Sequence, residues 1–343
     1  MPPSRLYYHR EMTILSVLDL APIAEGSTAE ASFRNSLDLA RHAESLGFHR
    51  YWLAEHHGMP GIASAATSVL IGYIAGGTST IRVGAGGIML PNHSPLVIAE
   101  QFGTLESLYP GRIDLGLGRA PGSDQVAARA LRRNLDTDPD AFPRDVVELM
   151  EYFSADSRLP VTAVPGKGLS VEFWILGSSL FGAQLAAYLG LPYSFASHFA
   201  PQMMMQAIET YRSNFRPSAH LAQPYVMLGY NVFAADTNDE AHYLASSWQQ
   251  SFVSLRNGRP IRLPPPAENY TETLAPHERA LLDHVLSCAA IGTPEVVTHT
   301  MREFIARTQV DELIITCNTY DHAARLRSYE LVAGIRKALH AQP

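Results

Sequence analysis

The chain has 343 residues, 46% hydrophobic and 17% charged, with a formal net charge of -7 and a sequence pI near 6.0. That balance suits a globular protein and excludes a broad nucleic-acid surface, which needs clustered Lys and Arg; no run of like charges marks a polyelectrolyte tail. Two cysteines, Cys288 and Cys317, make no disulfide framework and lack metal-ligand spacing, which fits a reducing cytoplasm.

Residues 1–12 read as an N-terminal extension without the long apolar stretch of a signal peptide. "TILSVLDL" (13–20) is a β-type run, followed by a helix in which Phe33, Leu37, Ala40 and Leu46 recur at near-helical spacing. Gly47 stands where a helix-capping glycine belongs. Next come "FHRYWLAE" (48–55) and a small-residue helix within 62–78, too interrupted by Gly, Ser and Thr to span a membrane. "IRVGAGGIML" (81–90) leads into a helix over 94–108 with a Pro-Gly stop, then "RIDLGLG" (112–118). A looser region, about 120–170, holds a polar helix around Phe142–Phe153. "EFWILGSS" (172–179) precedes "FGAQLAAYLG", and "PYSFASHF" (192–199) precedes a helix with the Met203–Met205 run. "PYVMLGYNVFAAD" (224–236) and "ELIITCN" (312–318) are the seventh and eighth strands, and a helix over 321–340 closes the chain.

Eight continuously apolar strands alternating with helices predict an α/β protein, a single (β/α)8 TIM barrel over residues 13–340, because parallel sheets are buried on both faces. Insertions are expected at about 120–170 and 236–290, the second containing a Pro-rich, lid-like loop (256–278) between strands seven and eight. A doubly wound sheet would usually carry a phosphate-binding glycine motif after its first strand, and "LDLAPIAEGS" is not one.

Active sites of such barrels lie at the carboxyl ends of the strands. Those ends carry Asp19, then Glu55-His56-His57, Gly86-Gly87 with His93 beyond, Gly118-Arg119, Gly177-Ser178-Ser179, Ser197-His198 and Asn318. The Gly-Ser-Ser turn opens a helix and can hold a phosphate on backbone N–H groups and hydroxyls, with Arg119 as a guanidinium partner. The plain alternatives are a bare Ser cap and a solvated Arg. Three glycines in "GAGGIML" mark either close approach by a planar ligand or tight packing against the small-residue helix. Of His56 and His57 only one can point inward, and beside Glu55 it is a general acid/base candidate. Metal binding is not expected, since neither an HExxH motif nor an obvious third ligand is present. Cys317 reads as a buried inert thiol rather than a nucleophile, and the Met run as helix packing.

The stretches "ESLGFHRYWLAEHH", "IRVGAGGIMLPNHSPLVIAEQFGTLESLYPGRIDLGLGRA", "FWILGSSLFGAQLAAYLGLPYSFASHF" and "IGTPEVVTHTMREFIARTQVDELIITC" together resemble the bacterial luciferase-like flavin monooxygenases, the alkanal monooxygenase type. The resemblance implies a two-component enzyme that takes reduced FMN from a separate NAD(P)H:flavin reductase. Such an enzyme forms a flavin C4a-hydroperoxide with O₂ and inserts one oxygen atom into a small apolar substrate. It implies that His56 is the catalytic histidine, with Glu55 and His57 beside it. It implies that the family's non-prolyl cis peptide corresponds to Gly86-Gly87, and that Arg119, Ser179 and Gly182 correspond to the phosphate ligands, Gly182 through backbone only. Gly177, Ser178 and His93 complete the implied cofactor site. The reactive cysteine of the luciferase has Gly118 in its place. The 256–278 loop corresponds to the mobile lid, and the helices within 62–78 and 94–108, with Glu100, to a homodimer interface. Two other readings stay open. One is hydride transfer with the deazaflavin F420, whose anionic tail Arg129, Arg132 and Arg133 would suit; the other is a flavin-binding relative without turnover. The expected location is cytoplasmic, with neither membrane nor nucleic acid as partner.

Overall fold

Nine parallel strands and their helices follow the chain in alternation: β1 (Ile14–Asp19), α1 (Ala29–Ser45), β2 (Arg50–Leu53), α2 (Thr67–Gly76), β3 (Arg82–Met89), α3 (Pro95–Leu108), β4 (Ile113–Gly118), α4 (Gln125–Leu131), α5 (Ala141–Phe153), β5 (Glu172–Gly177), α6 (Leu180–Leu189), β6 (Tyr193–Phe195), α7 (Met204–Asn214), β7 (Val226–Ala234), α8 (Asn238–Arg256), α9 (Pro276–Leu286), β8 (Ala289–Gly292), α10 (Pro294–Thr308), β9 (Glu312–Thr316) and α11 (His322–Ile335). The structure, a computed structural model, describes residues 13–119, 125–131 and 141–340; the expected extension 1–12 and Arg132 and Arg133 lie outside them.

Each strand from β1 to β6 pairs with the next, β6 pairs with β7, β7 with β9, and β9 returns to β1. This closes an eight-stranded TIM barrel, as the alternation predicts. β8 is the addition. β7 runs nine residues, all buried; its lower part, Met227–Asn231, pairs with β9, and its upper part, Asn231–Ala234, pairs with β8. The sequence reading placed eight strands and left this ninth unassigned at the end of an expected insertion. Four residues, Ala289–Gly292, are too few to show a period of their own.

The helices end where local chemistry stops them. The Thr28 side chain accepts from the Ala31 N–H at the start of α1, and Gly47 follows its end at φ +73°. Among the described residues no helix is long and apolar enough to cross a membrane. The 256–278 stretch is less irregular than its proline content implies. It holds a 3₁₀ turn at Tyr270–Thr273 and the first turn of α9. Its first half lies across the β1 and β2 connections: Glu25 N donates to Leu263 O at 2.8 Å, and Leu263 N to Ile23 O at 3.0 Å. Gly61 has no room for a side chain, since a Cβ would fall 2.3 Å from the Ile261 carbonyl oxygen.

Inside the barrel, alternate strand residues build layers. The amino-end floor is ionic. Arg50, buried, donates to Asp114 at 2.7 Å, Glu172 at 3.1 Å and Glu312 at 2.8 Å, while Arg82 bonds Asp114 and lies 3.1 Å from Glu172. Above it, Trp52 and Trp174 meet edge to face at 5.2 Å, packed with Leu18, Met227 and Ile314. The inward positions next above, Ala54, Gly86 and Gly229, have short side chains or none.

Candidate active site

At the exit of β2 the strand pattern sorts the opening acid and imidazoles. Trp52 and Ala54 belong to the lumen cluster, and His56 continues their side. Glu55 turns instead towards the connection after β3. It accepts from Met89 N at 2.9 Å and Asn92 Nδ2 at 3.2 Å, and pairs with His57 Nε2 at 2.8 Å and His93 Nε2 at 2.9 Å. Burial alone would raise the Glu55 pKa, but the His93 and His57 contacts and the Met89 N–H together hold it below the usual value. His57 and His93 are thus both held against Glu55. His56 has no such partner: its Nδ1 is buried and unbonded. Burial pushes its pKa down to about 4 against the pull of Glu55, with His57 adding to the lowering, so it is a neutral base at pH 7.

Next to it β3 bulges. Ala85 pairs with Leu115 and Ile88 with Leu117, so three steps on β3 face two on β4, and the Gly86-Gly87 peptide is cis. Gly86 sits against the lumen, where a Cβ would lie 2.9 Å from Leu18 Cδ1 and 3.0 Å from Trp52 Cε3. A Cβ at Gly87 would lie 2.7 Å from the Gly116 carbonyl oxygen. The glycines therefore allow close packing, against the lumen floor and β4 rather than the small-residue helix.

A third element gathers where β4 and β5 end. Ser179 caps α6 without using its hydroxyl, Ser178 is exposed, and Gly177 ends β5. The first-turn N–H groups of Leu180, Phe181 and Gly182 precede the helical bonding pattern, and the positive end of the helix dipole lies there. Gly182 itself packs α6 onto the strand, its Cβ position 3.6 Å from Gly177 Cα. Arg119 is exposed and stacks on Phe181, guanidinium carbon to ring centre 4.1 Å, with no ion pair among the described residues. Arg119 and the open turn of α6 thus share one corner of the mouth.

Other residues flagged at the strand ends have structural employment. Asp19 accepts from Ser36 and Tyr51 at 2.5 Å each and pairs with Arg325 at 2.8 Å. Burial would raise its pKa, but Arg325 and the two hydroxyls overcome this and keep it charged. Cys317 is buried, which pushes its thiol up to about 11. Met204 is buried, whereas Met203 and Met205 are partly exposed. Arg129 is exposed on α4. Among the described residues no group of three or more His, Cys, Asp or Glu is placed to hold a metal ion.

Sequence reasoning placed His198 and Asn318 at the strand ends without giving them a role, and it missed Asn231, the third member of a second polar group in the mouth. His198 follows β6, and burial first, then repulsion from His56 when both rings would be protonated, push its pKa down to about 3. Its Nδ1, the Asn231 Oδ1 and the Asn318 Oδ1 are buried without partners. The visible signal was Gly229 and Asn231, two residues apart on one face of an otherwise apolar strand.

Comparison with known proteins accords with this layout. The family model for luciferase-like monooxygenases matches residues 13–312. A luciferase-like monooxygenase of Escherichia coli K12 is 56% identical over 325 residues, covering 94% of this chain and 97% of its own. The N-acetyl-S-alkylcysteine monooxygenase of Bacillus subtilis 168 is 31% identical over 341 residues, covering 94% and 98%. Among solved structures, apo-MsnO8 superposes with a TM-score of 0.84 at 35% identity, over 95% of this chain and 99% of that one. The same fold recurs in the FMN-bound oxygenating constituent of 3,6-diketocamphane monooxygenase from Pseudomonas putida (TM-score 0.67, 18% identity, covering 94% and 97%). It recurs again in an F420-dependent secondary alcohol dehydrogenase (TM-score 0.68, 14% identity, covering 93% and 97%). The chain therefore belongs to the luciferase-like monooxygenase family.

Proposed function

We propose that the protein is the oxygenating component of a two-component system that uses reduced FMN and O₂ to insert one oxygen atom into a small organic substrate. The observation that carries this reading is the open turn of α6, with an idle Ser179 hydroxyl and, beside it, Arg119 with no ion pair among the described residues, at the same mouth as His56. These groups fit a phosphorylated cofactor: orphan N–H groups and a guanidinium suit the phosphate. When bound, reduced flavin would supply the activation of O₂. Arg119, Ser178, Ser179 and the N–H groups through Gly182 would hold the phosphate, and the β3 bulge at Gly86-Gly87 would face the ring. His56, neutral at pH 7, would accept or return a proton at its free nitrogen. Glu55 positions this corner by tying His57, His93 and Met89 together rather than by touching the reaction. The segment crossing the β1 and β2 connections would exclude water.

No separate NAD(P)H fingerprint is present in the sequence, which supports an external flavin reductase as partner. The name of the Bacillus relative supports a small organic substrate. Apolar side chains left outside on α2 and α3, Val69, Tyr73 and Val97, support a homodimer through those helices. Light scattering at micromolar concentration reads it: a dimer is expected, and a monomer would refute it.

Mixing the protein and reduced FMN with O₂ tests the main reading. Oxidation of bound flavin is expected to be slower than that of free flavin, and His56→Ala to lower coupled turnover about a hundredfold. Unchanged turnover in His56→Ala would overturn the assignment of His56. Titration with F420 in parallel separates the hydride-transfer reading, and tight binding of oxidised FMN without any oxygen reactivity would favour a non-catalytic relative.

A further inference from the structure

The wall of the mouth across from His56 carries polar atoms that the fold does not use. Eight strands form the ring, and β6 and β7 stand four places from β2 and β3, opposite His56 and the bulge. Met227 packs in the lumen cluster and Tyr230 turns outward onto Phe304, ring centres 4.5 Å apart, so Gly229 and Asn231 face inward. Gly229 forms a notch for His198, because a Cβ there would fall 2.0 Å from the imidazole Nδ1. Asn231 is 0% exposed, and its Nδ2 donates to the His198 carbonyl oxygen at 2.6 Å. A carbonyl only accepts, so this bond fixes the orientation of the amide and leaves Oδ1 as the free atom. That acceptor and the His198 Nδ1 are both buried without partners. Buried acceptors are nearly always satisfied, and one held open beside a lumen calls for a ligand hydrogen.

We propose that Asn231 and His198 bind the polar head of the organic substrate, a neutral group with a hydrogen to donate, such as an amide N–H or a hydroxyl, attached to an apolar body. Asn231 Oδ1 receives that hydrogen and the His198 imidazole completes the contact with the same head. Leu20, Leu176 and the two tryptophans beneath face the apolar part. Simple aldehydes and ketones, which have nothing to donate, leave Oδ1 unsatisfied and are poor ligands. The word substrate rests on the flavin monooxygenase reading; the binding chemistry does not.

The test uses two probes, N-hexylacetamide and N-hexyl-N-methylacetamide, titrated calorimetrically into the full chain with and without oxidised FMN. The methylated probe is the more apolar, so hydrophobicity alone favours it. The secondary amide is nevertheless expected to bind wild type at least about fivefold more tightly, and Asn231→Leu to reduce the ratio below about twofold. A crystal soak of wild type with N-hexylacetamide gives a reading independent of the variant, with the amide head within hydrogen-bonding distance of Asn231 Oδ1 and His198. Equal affinities, a head bound elsewhere, or no binding of the secondary amide in either state would overturn the proposal. Displacement of the amide by FMN would overturn it too, by giving the pair to the cofactor. Discrimination between the probes by a protein that fails to bind FMN would uphold the pair and remove the flavin reading instead.

Discussion

The two ends of the barrel lumen handle polar groups in opposite ways. At the amino end, Arg50 and Arg82 meet Asp114, Glu172 and Glu312, and Trp52, Trp174 and Tyr225 add further donors to the same carboxylates. At the carboxyl end, His56, His198, Asn231 and Asn318 each present a buried atom with no partner. A polar group left unbonded in the interior costs about 1–3 kcal/mol. The floor avoids this cost by complete pairing and the mouth bears it. Full pairing is what a structural plug needs; open valences are what a binding site needs.

Substitutions that convert one end into the other probe the contrast. The largest effect is expected at the floor. Arg50→Met leaves three carboxylates without their shared cation, and stability should fall by about 3–5 kcal/mol, read from the urea midpoint. A loss within the range of ordinary surface substitutions would mean that the network is not the closed plug described above.

A smaller effect, of opposite character, is expected at the mouth. His56→Gln removes no hydrogen bond, so stability at pH 7 should stay within about 0.5 kcal/mol of wild type. The difference appears in acid. The folded-state pKa of His56, about 4, lies below the ordinary 6.5, so as pH falls through this window the unfolded chain takes up the proton first. Wild type should therefore lose about 3 kcal/mol more than His56→Gln between pH 6.5 and pH 4. Parallel stability curves for the two proteins would show that the imidazole is not buried as described.

Much of this was legible in the chain. Barrel strands are buried on both faces, so all eight ring strands announced themselves as apolar runs, and the cluster of special residues at their carboxyl ends pointed to the face on which the site is proposed. What was hidden depends on contacts made across the ring. Nothing local to Glu55 shows that it points to His93 and leaves His56 as the inward member. Asp19 looks like a site residue until Arg325, far along the chain, is seen to neutralise it. Gly229 and His198 lie 31 positions apart, and only closure of the barrel puts one in the notch of the other. β8 was missed for a simpler reason: it is short, and it borrows the upper part of β7.

The most direct test compares FMN with riboflavin, which lacks the phosphate, in wild type and Arg119→Leu. If the corner formed by Arg119 and α6 holds the phosphate, the substitution weakens FMN about ten- to hundredfold and riboflavin by less than about threefold. Equal losses for both ligands, or wild-type protein that binds riboflavin as tightly as FMN, would contradict a phosphate site at this corner.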